Sequence, residues 1–245
     1  MSRLTMSKMA LAHKCAYGFR ADVEIFPRPP GKEARIGTIF HVLLERHVKG
    51  VRVLGGLDTE ETREAEARFS EPLKAYLDSV PWSHSETGLR YSADSDTAAV
   101  SARRGQEGYA TGGPMDLDGT LDLVGLEPDA ALVLDAKSGK LVKDREQLYA
   151  QAVAVSRAFK VDTVRVGYLY GRKTKCDPPE LETLDADRLD HEAGRIARLL
   201  RKLPMAEPNP GDHCHFCEAK PGCPAYAAAK ADDSERSLEE AGFFQ

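Results

Sequence analysis

The chain has 245 residues, 42% hydrophobic and 30% charged, with a formal net charge of −5. That composition belongs to a folded globular protein and excludes a disordered, fibrous or membrane-embedded chain. The negative balance also excludes nucleic-acid binding through total charge, so any such contact needs a local basic surface.

The opening residues, "MSRLTMSKMALAHKC", lack the apolar core and cleavage site of a signal peptide, so a cytoplasmic address without membrane contact is expected. Ser7 is placed to cap a first helix that runs to about Phe19 and carries Cys15. "FPRPPGK" then breaks the chain. A second helix, about Ile36 to Val48, sets Ile36, Phe40, Leu43, Leu44 and His47 on one stripe. A third starts after Asp58-Thr59 and runs to about Val80, closed by Pro81. From about Ser85 to Thr111 the pattern turns to short strands, with the glycines of "GQEGYATGG" reading as a hairpin loop.

Two apolar runs follow in "GTLDLVGLEPDAALVLDAKSGK", residues 119–140, and then a helix from about Arg145 to Phe159. That helix sets Leu148, Ala152, Val155 and Phe159 on one side. "TVRVGYLY", Thr163 to Tyr170, alternates as a strand, and a last long helix spans about Asp187 to Leu203. The order predicts a mixed α/β (α+β) fold, a mixed sheet flanked by helices with the cysteine-bearing ends outside it. A single domain over residues 1–230 is expected, its core at about 33–203, followed by a flexible tail at 231–245.

The hairpin carries the chemistry. With the turn at Glu127 to Ala130, Asp122 falls opposite Asp135. Facing residues of antiparallel strands have Cβ atoms about 4.5–5.5 Å apart on one face. Lys137 returns to that face with Val124 and Val133, while Leu121, Leu123, Leu132 and Leu134 point away. Two carboxylates so close repel unless a cation joins them or one is protonated, and a divalent metal such as Mg²⁺ meets that need. A lysine beside it can orient or deprotonate water for phosphodiester hydrolysis. The plainer alternative is an Asp–Lys salt bridge at the hairpin end, with Asp122 solvated at the sheet edge.

Five cysteines are present, and three lie in "CHFCEAKPGC" as Cys214, Cys217 and Cys223. An odd number without a signal peptide argues against disulfides, and the clustering argues for a metal. A zinc knuckle using His213 or His215 and an iron–sulfur cluster using the distant Cys15 both fit. Cys176 reads as a free thiol.

Taken in order, "GTIFH" (Gly37 to His41), "GTLD", "LDAKSGK" and "QLYAQA" resemble the motifs of the RecB-like exonuclease branch of the PD-(D/E)xK nuclease superfamily. Cys15 with Cys214-x-x-Cys217-x5-Cys223 is similar to the four-cysteine pattern of its iron–sulfur members, among them CRISPR adaptation-module exonucleases and the nuclease domain of AddB-type helicase–nucleases. The resemblance implies a restriction-endonuclease-like core and a metal-dependent exonuclease acting on single-stranded DNA or free DNA ends. It implies His41, Asp122, Asp135 and the Ala136 carbonyl as ligands of one or two Mg²⁺ or Mn²⁺ ions. Lys137 would align the water and Gln147 would hold Lys137 or the substrate strand. Glu45, one turn beyond His41, would orient its ring. The four cysteines would hold a [4Fe–4S] cluster, with zinc the alternative, stapling the two chain ends.

The family's glutamine motif reads Q-x-x-x-Y, whereas here Gln147 is followed by Gln151, which moves any tyrosine role to Tyr149. Roles in DNA repair, CRISPR adaptation or phage DNA processing follow from the resemblance, as do homo-oligomers and helicase or integrase partners. Arg188, Arg195, Arg198 and Lys202 line the polar side of the last helix; they read as a solvated face that in a nuclease could track DNA, as could Arg172, Lys173 and Lys175. A DNA-end-binding subunit and a zinc hydrolase are the competing readings. The second lacks the H-x-E partner of a deaminase.

Overall fold

Six strands form one sheet in the computed structural model, which describes residues 4–20, 22–26, 29–51, 58–103, 106–107, 112–139, 144–172 and 178–228. They are β1 (His84–Ser92), β2 (Thr97–Val100), β3 (Asp116–Leu126), β4 (Ala130–Lys137), β5 (Thr163–Tyr170) and β6 (Glu182–Leu184). The sheet order is β2-β1-β3-β4-β5-β6, antiparallel throughout except for the parallel β4–β5 pair. A parallel pair needs a crossover, here made by α5 (Glu146–Phe159). The remaining helices are α1 (Met9–Lys14), α2 (Lys32–Val48), α3 (Glu60–Arg68), α4 (Glu71–Asp78) and α6 (Ala186–Lys202).

The mixed α/β class expected from sequence is the one observed, with two cores rather than one. On one face of the sheet α1, α5 and α6 bury Met9, Leu148, Val153, Leu189 and Ile196 against Leu89, Val133 and Val166. On the other, α2, α3 and α4 bury Ile36, Phe40, Leu44, Ala65 and Leu73 against Leu123, Leu134 and Leu169. The small residues Ala150, Ala152 and Ala154 let α5 lie close to the sheet. That closeness brings its first turns to the end of β4.

Several expectations need correction. The first helix is broken into a 3₁₀ turn at Met6–Lys8, α1, and a second turn at Tyr17–Phe19, and Ser7 caps nothing. The break has a cause: the last α1 carbonyl, of Lys14, accepts the Asn209 side-chain amide at 2.7 Å, and Cys15 turns extended rather than helical. Nor does this segment lie outside the core, since Leu4, Met6, Met9 and Ala12 are fully buried. Met6 packs so closely over Gly119 that a Cβ there would stand 2.2 Å from its sulfur, so the glycine of "GTLD" is required for packing.

The expected third helix is two. Pro72, in the first turn of α4, has no N–H to donate, so α3 stops at Arg68 and a new helix starts. Thr59 caps α3 by accepting the Thr62 N–H at 3.1 Å. The short edge strand β6 had no sequence signal. Among the described residues no helix is long and apolar enough to cross a membrane. Cys176, Lys173, Lys175 and the tail at 231–245 lie outside the described residues.

Candidate active site

The β3–β4 hairpin closes with Glu127 N–H donating to the Ala130 carbonyl, and its register runs from Leu126↔Ala131 to Leu123↔Leu134. The next step would set Asp122 against Asp135, as the spacing predicts, but the ladder stops there. Leu121 belongs to the α5-side core, whereas Leu123 belongs to the α2-side core. β3 therefore changes face at Asp122, and the expectation that Leu121 points with Leu123 is overturned. β1 turns with it: Ser85 and Thr87 pair with Leu123 and Leu121, and Glu86 between them adopts φ 47°. A non-glycine residue at positive φ is uncommon and marks a site that the surrounding structure holds in place.

This twist delivers three ligand-type groups to one point. Asp122, buried, accepts the Ala136 N–H through Oδ2 at 2.6 Å and faces His41 Nδ1 through Oδ1 at 3.3 Å. Glu86 Oε1 lies 3.0 Å from the same nitrogen. The three side chains offer ligand atoms all within 4.8 Å of one another. Helix α2 aims the imidazole by burying Phe40 beside it, the two rings meeting edge to face. Burial works against a charge on His41, yet Asp122 and Glu86 outweigh it and push its pKa up to about 11. The imidazole is therefore held protonated at neutral pH in the metal-free protein.

Since a metal ligand must be deprotonated, Mn²⁺ should displace that proton. Calorimetry in buffers of different ionisation heat is expected to find about one proton released per ion bound. Affinity should rise about tenfold per pH unit near neutrality. Binding without proton release would remove His41 from the ligand set.

Asp135, also buried, is reached from the opposite side of the sheet. Its Oδ1 accepts the side-chain amides of Gln147 and, at 3.2 Å, Gln151, both on α5. Its Oδ2 has no regular hydrogen bond and meets the Lys137 ammonium as an ion pair. Burial and the Asp122 charge raise the Asp135 pKa. The Lys137 ammonium also donates to Gln147 Oε1 at 3.3 Å. Burial opposes the Lys137 charge, but Asp135 dominates and holds its pKa above the ordinary value, so Lys137 is a donor rather than a base here. Asp122 and Asp135 stay close enough for the Asp122 charge to act on Asp135, although their side-chain partners come from different helices. They flank the end of β4, one turned to α2 and the other to α5. A divalent cation fits this donor set of hard carboxylates and one imidazole.

Glu86 was missed by sequence reasoning. Its only signal is its register level with Asp122, which requires the β1–β3 pairing to be known. Glu45 does not orient His41; it binds Lys49 and Arg103, each at 2.6 Å. Tyr149 turns away, donating to Glu182 at 3.0 Å, while Gln151 takes the inward position.

At the far end, Cys15, Cys214, Cys217 and Cys223 line one small pocket with Tyr17, His213 and Tyr226. Asn209 N–H donates to Cys15 Sγ and Gly211 N–H to Cys214 Sγ, both at 3.4 Å. Burial first, and then the neighbouring sulfurs, push the Cys217 thiol pKa up. His213 faces the Asn209 carbonyl at 2.8 Å rather than the sulfurs.

The site thus combines a mixed sheet, an acidic cluster that could hold a cation at the end of a β-hairpin, and a lysine beside it. The model of the PD-(D/E)XK nuclease superfamily matches residues 3–224. The chain belongs to that superfamily, with its restriction-endonuclease-like fold. No curated protein matches it. Among solved structures it is similar to SSO0001, at 18% identity and TM-score 0.32 over 46% of this chain and 52% of that one. The chain thus spans about half the length of that protein. It is also similar to a protein named "Putative exonuclease" from Eubacterium rectale, at 10% identity and TM-score 0.41 over 78% of this chain and 75% of that one.

Proposed function

We propose that this chain is an exonuclease that degrades single-stranded DNA from a free end, using Mg²⁺ or Mn²⁺ at the end of β4. The observation that carries the reading is the convergence of His41, Glu86 and Asp122 on one point beside the Asp135–Lys137 pair. His41, Asp122 and Asp135 would hold the ion, joined by Glu86 and the Ala136 carbonyl. The ion supplies Lewis-acid charge at the scissile phosphate. Lys137, kept protonated by Asp135, orients the attacking water and offsets phosphate charge. Gln147 and Gln151 fix the Asp135 carboxylate, and Gln147 also holds Lys137.

In the same proposal the four cysteines hold a [4Fe–4S] cluster. Their shared pocket and the two N–H···S contacts support it. Iron and acid-labile sulfide in brown, anaerobically purified protein are the expected assay result.

The test of function is degradation of single-stranded DNA labelled at either end, in Mn²⁺ or EDTA. Metal-dependent loss of one end label before the other supports the exonuclease. Uniform internal cutting, or no cleavage by fully loaded protein, sinks it; the second result leaves a DNA-end-binding subunit.

A further inference from the structure

The arginine row of α6 divides into two unlike parts. Arg188 and Arg195 share the buried Glu192, and Arg195 also reaches Glu146 at 2.8 Å. His13 joins the same Glu146 at 3.0 Å. Arg198, Arg201 and Lys202 are exposed, and so is Lys14 across from them. Among the described residues none of these four has an acidic partner. Together with His13 and Arg195 they line a groove of about 630 Å³ between α1 and the C-terminal half of α6, and no acidic side chain lines it. In a chain of net charge −5 this is a concentrated basic surface.

We propose that this groove holds the phosphodiester backbone of single-stranded DNA beyond the cleavage point. The proposal rests on the nuclease reading. Three features favour a strand over a small anion. The unpartnered cations stand on two walls and are spread over a full helical turn, about 5.4 Å, so one phosphate would leave most of them unmatched. The walls between them include Leu199, Met205 and Ala206, apolar surface suited to sugars and bases. A chain of contacts also joins the groove wall to the active site: Arg195 holds Glu146, the neighbour of Gln147, which touches Asp135 and Lys137. Lys14, Arg198, Arg201 and Lys202 are thus binding residues that set how the strand is fed to the ion.

The experiment is fluorescence anisotropy of labelled oligo-dT in EDTA, where nothing is cut, over a range of salt. Wild type is compared with Arg198→Gln/Arg201→Gln/Lys202→Gln and with the charge-keeping Arg198→Lys/Arg201→Lys. Loss of three contacts should weaken binding on the order of tenfold to a hundredfold and lower the log–log salt slope by about 2. The lysine variant should keep the wild-type slope, and all three should melt alike because the changed side chains are exposed. A glutamine variant with wild-type affinity and slope, in a protein that still cleaves DNA, overturns the groove and leaves the nuclease intact. A wild type that neither binds nor cleaves DNA overturns both.

Discussion

Asp122→Asn is expected to lower kcat at least about a thousandfold, on the order of 4 kcal/mol of transition-state stabilisation, with the fold retained. The substitution changes one atom and one charge. Asp122 accepts the Ala136 N–H through Oδ2 at 2.6 Å, and an asparagine can present its carbonyl to the same donor. What it cannot supply is the anionic oxygen facing His41 or the second carboxylate needed beside Asp135. Mn²⁺ affinity should collapse together with activity. A variant that keeps Mn²⁺ and cuts normally would show that the ion sits elsewhere.

The same variant has a stability signature. In the metal-free protein the His41 pKa is raised from 6.5 to about 11. A raised folded-state pKa contributes stability fully present below about pH 6.5 and lost as pH rises through 11. Removing Asp122 removes much of that contribution, and it also removes repulsion from Asp135. The melting temperature of the metal-free variant should therefore fall less steeply than wild type between about pH 7 and 10. A parallel decline in both proteins would detach His41 from Asp122.

The hairpin register was legible because a two-residue alternation and a Pro-Asp turn leave little freedom, and β4 ends at Lys137 within "LDAKSGK". The helices that carry single apolar stripes, α2, α5 and α6, were legible for the same reason. The face change at Asp122 was not. It depends on Glu86 adopting a positive φ one strand away, a cooperative distortion of two strands that no local pattern records. Glu86 consequently escaped notice while Glu45, at helical spacing from His41, attracted it. The broken N-terminal helix was equally hidden, because the group that caps Lys14 is Asn209, far along the chain. Local propensity reports what a segment can do alone, and these features arise from partners distant in sequence.

With the proposed iron–sulfur cluster on the four cysteines, Cys217→Ala is expected to bleach the protein and lower its melting temperature by about 10 °C or more. The loop it helps close runs from Cys15 nearly to the end of the described chain, and in the loop-entropy model such a link is worth about 5 kcal/mol. At this chain length each 1 kcal/mol moves the midpoint by roughly 2–4 °C. The other polar ties between the ends are single bonds at exposed or half-exposed groups, among them Lys8–Glu218 at 2.9 Å, Asn209 to the Lys14 carbonyl at 2.7 Å, Arg20 to the Ala206 carbonyl at 3.2 Å and Phe26 N–H to the Glu218 carbonyl. Cys217 also has a place that alanine cannot fill, with its sulfur 3.3 Å from where a Cβ on Gly18 would stand. The result also bears on function, because Lys14, next to Cys15, lines the basic groove, whereas Asp122 and Lys137 sit on the hairpin. Cysteine loss should therefore cost stability and DNA affinity before it costs metal binding at the hairpin. Unchanged colour and midpoint in the Cys217 variant would remove the cluster from the protein altogether.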